Sequence, residues 1–270
     1  MPALPIGVVT DEVSRDLPRA LDLARSWGIE RFELREGSER RFPHFTAAEV
    51  RAVEDALADG CRVTAVSPGV FKGAADDEAR LQRELSDTLP RAIARAVRFE
   101  CPLLIVFGFE RRPGEPPKNR QRAMRAFETA ATLADAAGVR VAVENEPGFW
   151  IDRADAAAEM LDEIGHPALG LNWDPANLHW GGHRPTRADF EAVRPHLLNL
   201  HVKDYAPGRP EAPWVPVGEG ETPWAEIFSW LADSDLGHVT LETHCEPLAE
   251  ASRQSLEHMR RLLGAATQRA

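Results

Sequence analysis

The sequence has 270 residues, a net charge of −11 at pH 7 and three cysteines. This length is close to the roughly 250 residues typical of one (β/α)8 barrel, and it allows a large buried core. The negative charge disfavours nucleic acid as a partner, because basic side chains dominate affinity for phosphate backbones. We find no apolar stretch of about 18 residues and no signal peptide, so we expect a cytoplasmic protein with no membrane partner.

The cysteines are widely and irregularly spaced along the chain. Cys61, Cys101 and Cys245 form neither a CxxC zinc pattern nor a disulfide framework. We therefore expect free thiols that are buried or half-buried. Cys245 lies close to a candidate site residue, which leaves room for a minor role there.

Short apolar runs alternate with helical patterns along the whole chain. Eight such runs occur, at residues 6–10, 31–35, 62–67, 103–109, 139–145, 169–174, 197–204 and 238–244. Most are rich in Val, Ile and Leu, which is typical of strands covered on both faces, and their separation by helices predicts parallel βαβ units. A single (β/α)8 TIM barrel domain over residues 1–270 is the economical solution. An open doubly wound sheet is the alternative, but it would more often carry a glycine-rich loop after the first strand, where this chain has TDEVSRD.

Two helices carry clear start signals. Asp16 followed by Pro18 predicts the start of the first helix. Thr46 and Glu49 form a predicted capping box for the second helix, and Gly60 is placed to end it.

Other helices are predicted from apolar periodicity. Amphipathic patterns predict helices over about 76–99 and 117–137, and a last helix over about 248–264. Thr222 and Pro223 are a typical N-cap and first helical residue.

Ionisable side chains stand at the carboxyl ends of the last four predicted strands. These are Glu144, Asp174, His201 and Glu242. Parallel strands that follow one another in a barrel are neighbours, so the four side chains should converge. Buried charges are found paired or bound to metal, so the convergence predicts a divalent-metal site, although each residue alone could equally be a helix cap or a rim salt bridge. Three oxygen ligands and one nitrogen suit Mn²⁺ best, with Mg²⁺, Co²⁺, Fe²⁺ and Zn²⁺ as alternatives.

Side-chain alternation extends the predicted site. Residues two apart on a strand point to the same side, so Glu146, Asn172, Lys203 and His244 should face the same way as the ligands. Lys203 could polarise a carbonyl or hold an anionic group, or it could form an ion pair with Asp204 or Glu146. The candidate substrate contacts are Lys203, Asn177, His244, Glu146 and Trp150.

Aromatic residues and long loops follow several predicted strands. Trp150, Trp173, Trp180, Trp214 and Phe71 either form an apolar wall around a sugar or polyol, or pack in the core. The Pro/Gly-rich stretches after strands four and seven predict lids, rim walls or the contact surface of a homo-oligomer. The VGEGETPW stretch contains no GxGxxG and no Walker lysine, so we do not interpret it as a phosphate loop.

Taken together, these motifs resemble the sugar phosphate isomerase/epimerase family, the xylose isomerase-like TIM barrels. The likeness extends along the chain through GVVTDE, FELRE, ENEP, LNWDPAN, LHVKD, GEG and LETH. The resemblance implies that Glu144, Asp174, His201 and Glu242 bind one divalent ion. It also implies that Glu144 and Glu242 are the acid/base pair of a metal-dependent isomerase or epimerase. Such an enzyme abstracts a proton next to the carbonyl of a ketose, sugar phosphate or related polyol, through a cis-enediolate.

Three residues depart from the pattern of the ketose 3-epimerases in this family. Trp150, Asn177 and Pro207 stand where those enzymes carry Glu, His and Arg. All three positions contact substrate in those enzymes, so the substrate and the reaction stay open. A lyase, dehydratase or deglycosylating enzyme on the same site is the alternative. An endonuclease IV-like nuclease is disfavoured, because its extra ligands after strands three and four are missing, and a non-catalytic sugar-binding protein is disfavoured by the four intact ligands.

Overall fold

A computed structural model describes residues 4–267 of the chain. Eight parallel strands form a closed barrel, in which each strand pairs with the next along the chain and the last strand pairs with the first. The barrel strands are β1 (Ile6–Val9), β2 (Arg31–Leu34), β3 (Arg62–Val66), β4 (Leu103–Val106), β5 (Arg140–Glu144), β6 (Leu169–Trp173), β7 (Leu197–Val202) and β10 (Val239–Leu241). Two further strands, β8 (Asp204–Tyr205) and β9 (Trp214–Val215), form an antiparallel ribbon outside the barrel. Closure confirms the predicted (β/α)8 barrel and rules out the open sheet.

Helices surround the barrel between the strands. In the described part of the chain they are α1 (Leu17–Ser26), α2 (Ala47–Ala58), α3 (Glu78–Arg83), α4 (Leu89–Arg98), α5 (Pro117–Asp135), α6 (Ala154–Ile164), α7 (Pro175–Trp180), α8 (Arg187–Val193), α9 (Trp224–Trp230) and α10 (Leu248–Thr267). Two predicted helix starts are confirmed. Asp16 accepts a hydrogen bond from the Arg19 amide at 2.9 Å, and Thr46 and Glu49 form the reciprocal capping box.

Two helix predictions were wrong in detail. The helix predicted over 76–99 is two helices joined by a π-helical turn at Glu84–Thr88, which lets the Glu84 carboxylate accept a hydrogen bond from the Phe71 amide at 3.1 Å. Thr222 is not the N-cap of α9, because its amide donates to the Asp204 carboxylate at 3.1 Å and its hydroxyl has no hydrogen-bond partner.

The two faces of the strands have different surroundings. Apolar side chains on the outer face pack against the helices in the main core. Inside the barrel, a small apolar cluster fills the space towards the amino ends of the strands; it consists of Ala65, Leu103, Ile105 and Ala142. Above it the interior is polar, and the Asn199 amide donates to Asn172 at 3.0 Å. This polar layer leads directly to the carboxyl ends of the strands, where the candidate site lies.

Two further sequence expectations concern the whole chain. All three cysteines are free and buried, as predicted. Across residues 4–267, no helix combines the length and apolar character that crossing a membrane requires.

Candidate metal centre

The four predicted ligands converge at the carboxyl end of the barrel. Glu144 ends β5, Asp174 directly follows β6, His201 lies near the end of β7, and Glu242 directly follows β10. One ligand atom from each residue lies within 4.8 Å of those of the other three, and each residue is at most 7 % exposed. Donors on opposite sides of a divalent ion are about 4–5 Å apart, so the cluster has the right size for one ion.

The donor set also fits a cation chemically. Asp174 is fully buried, and its Oδ1 accepts a hydrogen bond from the Asn177 amide at 2.8 Å. Its Oδ2 lies 2.8 Å from the Lys203 ammonium but has no hydrogen bond of acceptable geometry. Lys203 compensates the charge of Oδ2, but no hydrogen bond fixes this buried oxygen, so Oδ2 could also serve as a ligand to an ion.

His201 is oriented by a carboxylate that sequence reasoning missed. Its Nε2 lies 2.8 Å from Oε2 of Glu33, a fully buried residue on β2, and the hydroxyl of Ser67 donates to the other Glu33 oxygen at 2.9 Å. The Asn172 amide contacts Nδ1 at 3.1 Å. A proton held on Nε2 would leave Nδ1, which faces Asn172 and Glu144, unprotonated and able to bind an ion, as in carboxylate–histidine–metal arrangements.

Lys203 lies inside the cluster rather than beside it. Its Nζ is 2.8 Å from Asp174 and 2.9 Å from Glu242, so the ion pair with Asp204 or Glu146 that the sequence suggested is wrong. Burial lowers the pKa of Lys203, but the Asp174 and Glu242 carboxylates outweigh it and raise the pKa above its ordinary value. The ammonium also lies 4.9 Å from the ring centroid of Trp214. The lysine is therefore held as a cation at the edge of the candidate centre.

Arg35, which directly follows β2, is a second buried cation at the site. Its guanidinium donates to Glu12 and to Glu242 at 2.5 Å each and to Asp11 at 2.7 Å. Glu12, Glu242 and His244 form a second cluster with metal-binding geometry, but Arg35 already neutralises two of its members. The arrangement favours one metal ion and a built-in cation over two metal ions.

Glu12 and His244 are linked to each other as well as to this cation. His244 Nδ1 lies 3.0 Å from a Glu12 oxygen. Burial raises the pKa of Glu12, but the hydrogen bond from His244 and the charge of Arg35 outweigh it and lower the pKa to about 2. Burial likewise lowers the pKa of His244, whereas Glu242 and Glu12 raise it to about 9. Both groups are therefore charged near neutral pH.

The two glutamates of the predicted acid/base pair have unequal surroundings. Both Glu242 oxygens are taken by cationic donors, Oε1 by Arg35 at 2.5 Å and Oε2 by Lys203 at 2.9 Å. Oε1 of Glu144 has only longer contacts, to Asn177 Nδ2 at 3.4 Å and to His201 Nδ1 at 3.3 Å. Before any ion binds, Glu144 is the less constrained carboxylate.

A cavity of about 190 Å³ opens above the cluster. Three of the predicted substrate contacts line it: Glu146, Lys203 and His244. Oε2 of Glu146 is buried without a hydrogen-bond partner, and burial together with the nearby Glu144 charge raises the pKa of Glu146 to about 7. The cavity is below the roughly 300 Å³ of most ligand sites, which limits it to a small molecule.

The other two predicted substrate contacts do not line this cavity. Asn177 is buried beneath Glu144, with its amide group donating to the Asn145 carbonyl at 2.9 Å. Trp150 packs over the Arg111 guanidinium, 5.9 Å from the ring centroid. Their role in substrate binding stays a prediction.

The aromatic residues named from the sequence divide between core and rim. Trp173 and Phe71 are buried in the core, at 1 % and 0 % exposure. Trp214 covers Lys203, and Trp180 packs edge-on against Trp214 with 48 % of its surface exposed. Sequence reasoning missed Phe107, which directly follows β4 and lines the cavity.

The GEG stretch at residues 218–220 shapes the rim because its backbone amides bind the carboxylate of Asp204. The Asp204 carboxylate accepts hydrogen bonds from the amides of Gly218 at 2.8 Å and of Gly220 and Thr222 at 3.1 Å each. A Cβ added to Gly220 would lie 2.3 Å from Asp204 Oδ1, so only glycine fits there. Successive amides form an anion-binding concavity of this kind, and here it anchors the β8–β9 ribbon that carries Trp214.

A larger cavity of about 980 Å³ lies at the opposite end of the barrel, where the strands begin. Arg31, Arg62 and Arg140 surround it, and it contains none of the four predicted ligands. Catalytic residues of (β/α)8 enzymes lie at the carboxyl end of the strands. The smaller cavity above the cluster is therefore the candidate functional site.

Comparison with known proteins places the chain in a family. The sequence profile of the xylose isomerase-like TIM barrels matches residues 21–262, so the chain belongs to that family. No curated protein sequence matches the chain at a significant level.

Solved structures share the fold at low sequence identity. A structure of L-ribulose 3-epimerase superposes with a TM-score of 0.81 at 14 % identity, over 98 % of this chain and 96 % of that one. The probable 3-DHS dehydratase of petrobactin synthesis from Bacillus anthracis gives 0.78 at 17 % identity, over 95 % and 99 %. A xylose isomerase-like TIM barrel protein from Mycobacterium smegmatis, solved in complex with magnesium, gives 0.71 at 17 % identity, over 98 % and 97 %. At such identities these likenesses establish the fold alone.

Proposed function

We propose that this protein is a divalent-metal-dependent isomerase or epimerase of a ketose, sugar phosphate or related polyol. The observation that carries the proposal is the convergence of Glu144, Asp174, His201 and Glu242 within 4.8 Å beneath a small cavity. Membership of the xylose isomerase-like family supports it. Mn²⁺ or Mg²⁺ is the expected ion, and a small molecule, not nucleic acid, is the expected partner.

The four residues would hold the ion, which, when bound, acidifies the C–H next to a substrate carbonyl by drawing charge onto oxygen. Glu144, the less constrained carboxylate, would remove that proton and leave an enediolate of the substrate. Lys203 and Arg35 would stabilise the negative charge that develops at the reacting end. Return of the proton to the opposite face gives an epimer, and its return to the neighbouring carbon gives an isomer.

A second candidate, a lyase or dehydratase on the same site, is favoured by the asymmetry of the two glutamates. An epimerase of the predicted type uses two carboxylates that both exchange protons, but both Glu242 oxygens are held by cationic donors. An elimination needs one base. The base would take the C–H proton, the electron pair would form a C=C bond next to the carbonyl, and the C–O bond on the next carbon would break. The departing hydroxide and the proton removed from carbon together make up the one water that is released.

One experiment separates these reactions. The Mn²⁺-loaded protein is incubated in D₂O with ketoses, cyclic keto-polyols and 2-keto acids, and C–H exchange is followed by NMR. Exchange with recovery of an isomer supports the isomerase, and loss of water with appearance of a conjugated double bond supports the lyase. Either activity should vanish in Glu144→Gln. A metal-loaded protein that catalyses neither reaction with any substrate would contradict both proposals.

A further inference from the structure

The cavity has a second charged wall on the side of the barrel mouth away from most of the ligands. Arg41 in the loop after β2, Lys72 in the loop after β3, and Phe107 after β4 line it. Lys72 Nζ lies 4.9 Å and Arg41 Cζ 5.9 Å from the centroid of the Phe107 ring. In the closed barrel, β2, β3 and β4 stand opposite β6, β7 and β10. This wall therefore faces the far end of a molecule whose reacting end lies at the ligands.

The backbone holds Lys72 in place above Phe107. The preceding residue, Phe71, has a φ of 67°, and its buried ring stacks on Phe109 at 4.7 Å. The Phe107 amide donates to the Val70 carbonyl at 3.1 Å, and the Phe109 amide donates to the Phe71 carbonyl at 2.9 Å. A positive φ is uncommon for a bulky residue, and such strained positions cluster at functional sites. The loop after β3 is thus tied to the end of β4, with the lysine directed at the cavity.

The cationic groups on this wall have more hydrogen-bond donors than partners. Arg41 donates from Nε to the Ser67 carbonyl at 3.1 Å and from Nη1 to Glu36 at 2.8 Å, and its Nη2 makes no hydrogen bond within residues 4–267. Burial lowers the pKa of Arg41 more than the Glu36 charge raises it. Lys72 makes no ion pair with any residue in the described part of the chain. An added anion would pair with the Lys72 ammonium and with the Nη2 donor of Arg41, beside the existing Arg41–Glu36 ion pair.

We propose that Arg41 and Lys72 bind an anionic group, a carboxylate or a phosphate, at the end of the substrate remote from the reacting carbon. Arg donors match the oxygens of either group, and Phe107 offers an apolar surface to the adjoining C–H groups. The substrate class is therefore a small keto-polyol that carries one anionic substituent. The inference rests on the proposed function, because it takes this cavity as the substrate site.

The test measures anion binding separately from catalysis. Mg²⁺-loaded wild type, Lys72→Met and Arg41→Met are titrated calorimetrically with inorganic phosphate and, separately, with acetate. Lys118→Met is the matched control, because Lys118 is also an exposed lysine without an ion pair but lies at the start of α5, outside the cavity. We expect wild type and Lys118→Met to bind one of the two anions, and either cavity variant to bind it at least about tenfold more weakly.

The identity of the bound anion distinguishes a phosphate site from a carboxylate site. Binding that is equally strong in both cavity variants, or no binding to the wild type, would overturn the inference. The D₂O exchange assay tests the proposed function separately from the anion site, so either proposal can fail without the other. Exchange with neutral ketoses and no anion binding would retain the proposed function and reject this wall as an anion site. Anion binding without exchange of any substrate would retain the anion site and reject the proposed function.

Discussion

The two halves of the barrel contribute differently to the site. Strands β5, β6, β7 and β10 supply the four candidate ligands, each at or next to the end of its strand. Strands β1 to β4 supply no candidate ligand to this cluster; instead β2 and the residue after it supply side chains that contact the ligands. Glu33 contacts His201 at 2.8 Å, and Arg35 contacts Glu242 at 2.5 Å. The positions of the candidate ligands therefore depend on residues from both halves of the barrel, although only one half would coordinate the metal.

Removal of a ligand should have the largest effect. Asp174→Asn keeps the size of the side chain and its helix cap but removes the charge that would bind the ion. We expect the affinity for Mn²⁺ to fall by more than the roughly 10–100-fold typical of outer-sphere changes. Calorimetric titration measures it, with Asp152→Asn, whose carboxylate pairs with Arg111 outside the cluster, as the control. Wild-type affinity in Asp174→Asn would show that the ion binds elsewhere.

Arg35 should be the most important supporting residue. Arg35→Met removes the cation that Asp11, Glu12 and Glu242 share, and loss of one partner of a buried ion pair costs about 3–5 kcal/mol. We expect the metal-free variant to unfold at lower temperature, and excess Mn²⁺ to restore stability by binding two ions per chain instead of one. Arg35→Lys keeps the charge and should bind one. A single ion in Arg35→Met would contradict the role assigned to this guanidinium.

Substitution of Glu33 should have an intermediate effect, which lowers the metal affinity and not the stability of the fold. Glu33→Gln removes the charge that holds the His201 proton on Nε2, and we expect metal affinity to fall by about tenfold. Glu49→Gln is the matched control, because Glu49 is another buried glutamate of the same half but caps α2. Calorimetry should find normal metal affinity and a lower melting temperature in the control. Equal metal affinities in the two variants would contradict the proposal that Glu33 orients His201 for metal binding.

His244 should give the smallest effect, visible as a pH dependence of stability without metal. Its pKa is raised from 6.5 to about 9 in the folded protein. The stabilisation it provides is therefore fully present below pH 6.5 and is lost as pH rises through about 9. Since the side chain is 35 % exposed, we expect the wild type to lose only about 2–4 °C more than His244→Gln over this range. Parallel melting curves in chelator would contradict the raised pKa.

The half of the barrel with the ligands was the easier half to predict. Glu144, Asp174, His201 and Glu242 each end an apolar run, and the order of parallel strands is enough to bring such ends together. Glu33 lies inside its strand, between outward-facing apolar neighbours, so strict alternation would have marked it as an inward-facing charge. Arg35 belongs to the FELRE motif, but nothing local indicates that its side chain spans from β2 to Glu242.

The loops were the least predictable part of the site. Lys72 reaches the cavity because Phe71 adopts a positive φ and because the loop is hydrogen-bonded to the residues after β4. Neither feature can be predicted from the local sequence. The prediction of Thr222 as a helix cap was wrong, since Pro223 is the N-cap of α9 and the Thr222 amide is bound to Asp204, 18 positions earlier in the chain. Because contacts between distant residues determine such details, a local sequence pattern cannot predict them.

The most direct test of the central claim is anomalous diffraction from crystals grown with Mn²⁺. The account predicts one strong peak per chain, between Glu144, Asp174, His201 and Glu242, with Arg35 still bound to Glu12 and Glu242. A peak elsewhere, two peaks in the cluster, or no peak at a saturating concentration of Mn²⁺ would contradict it.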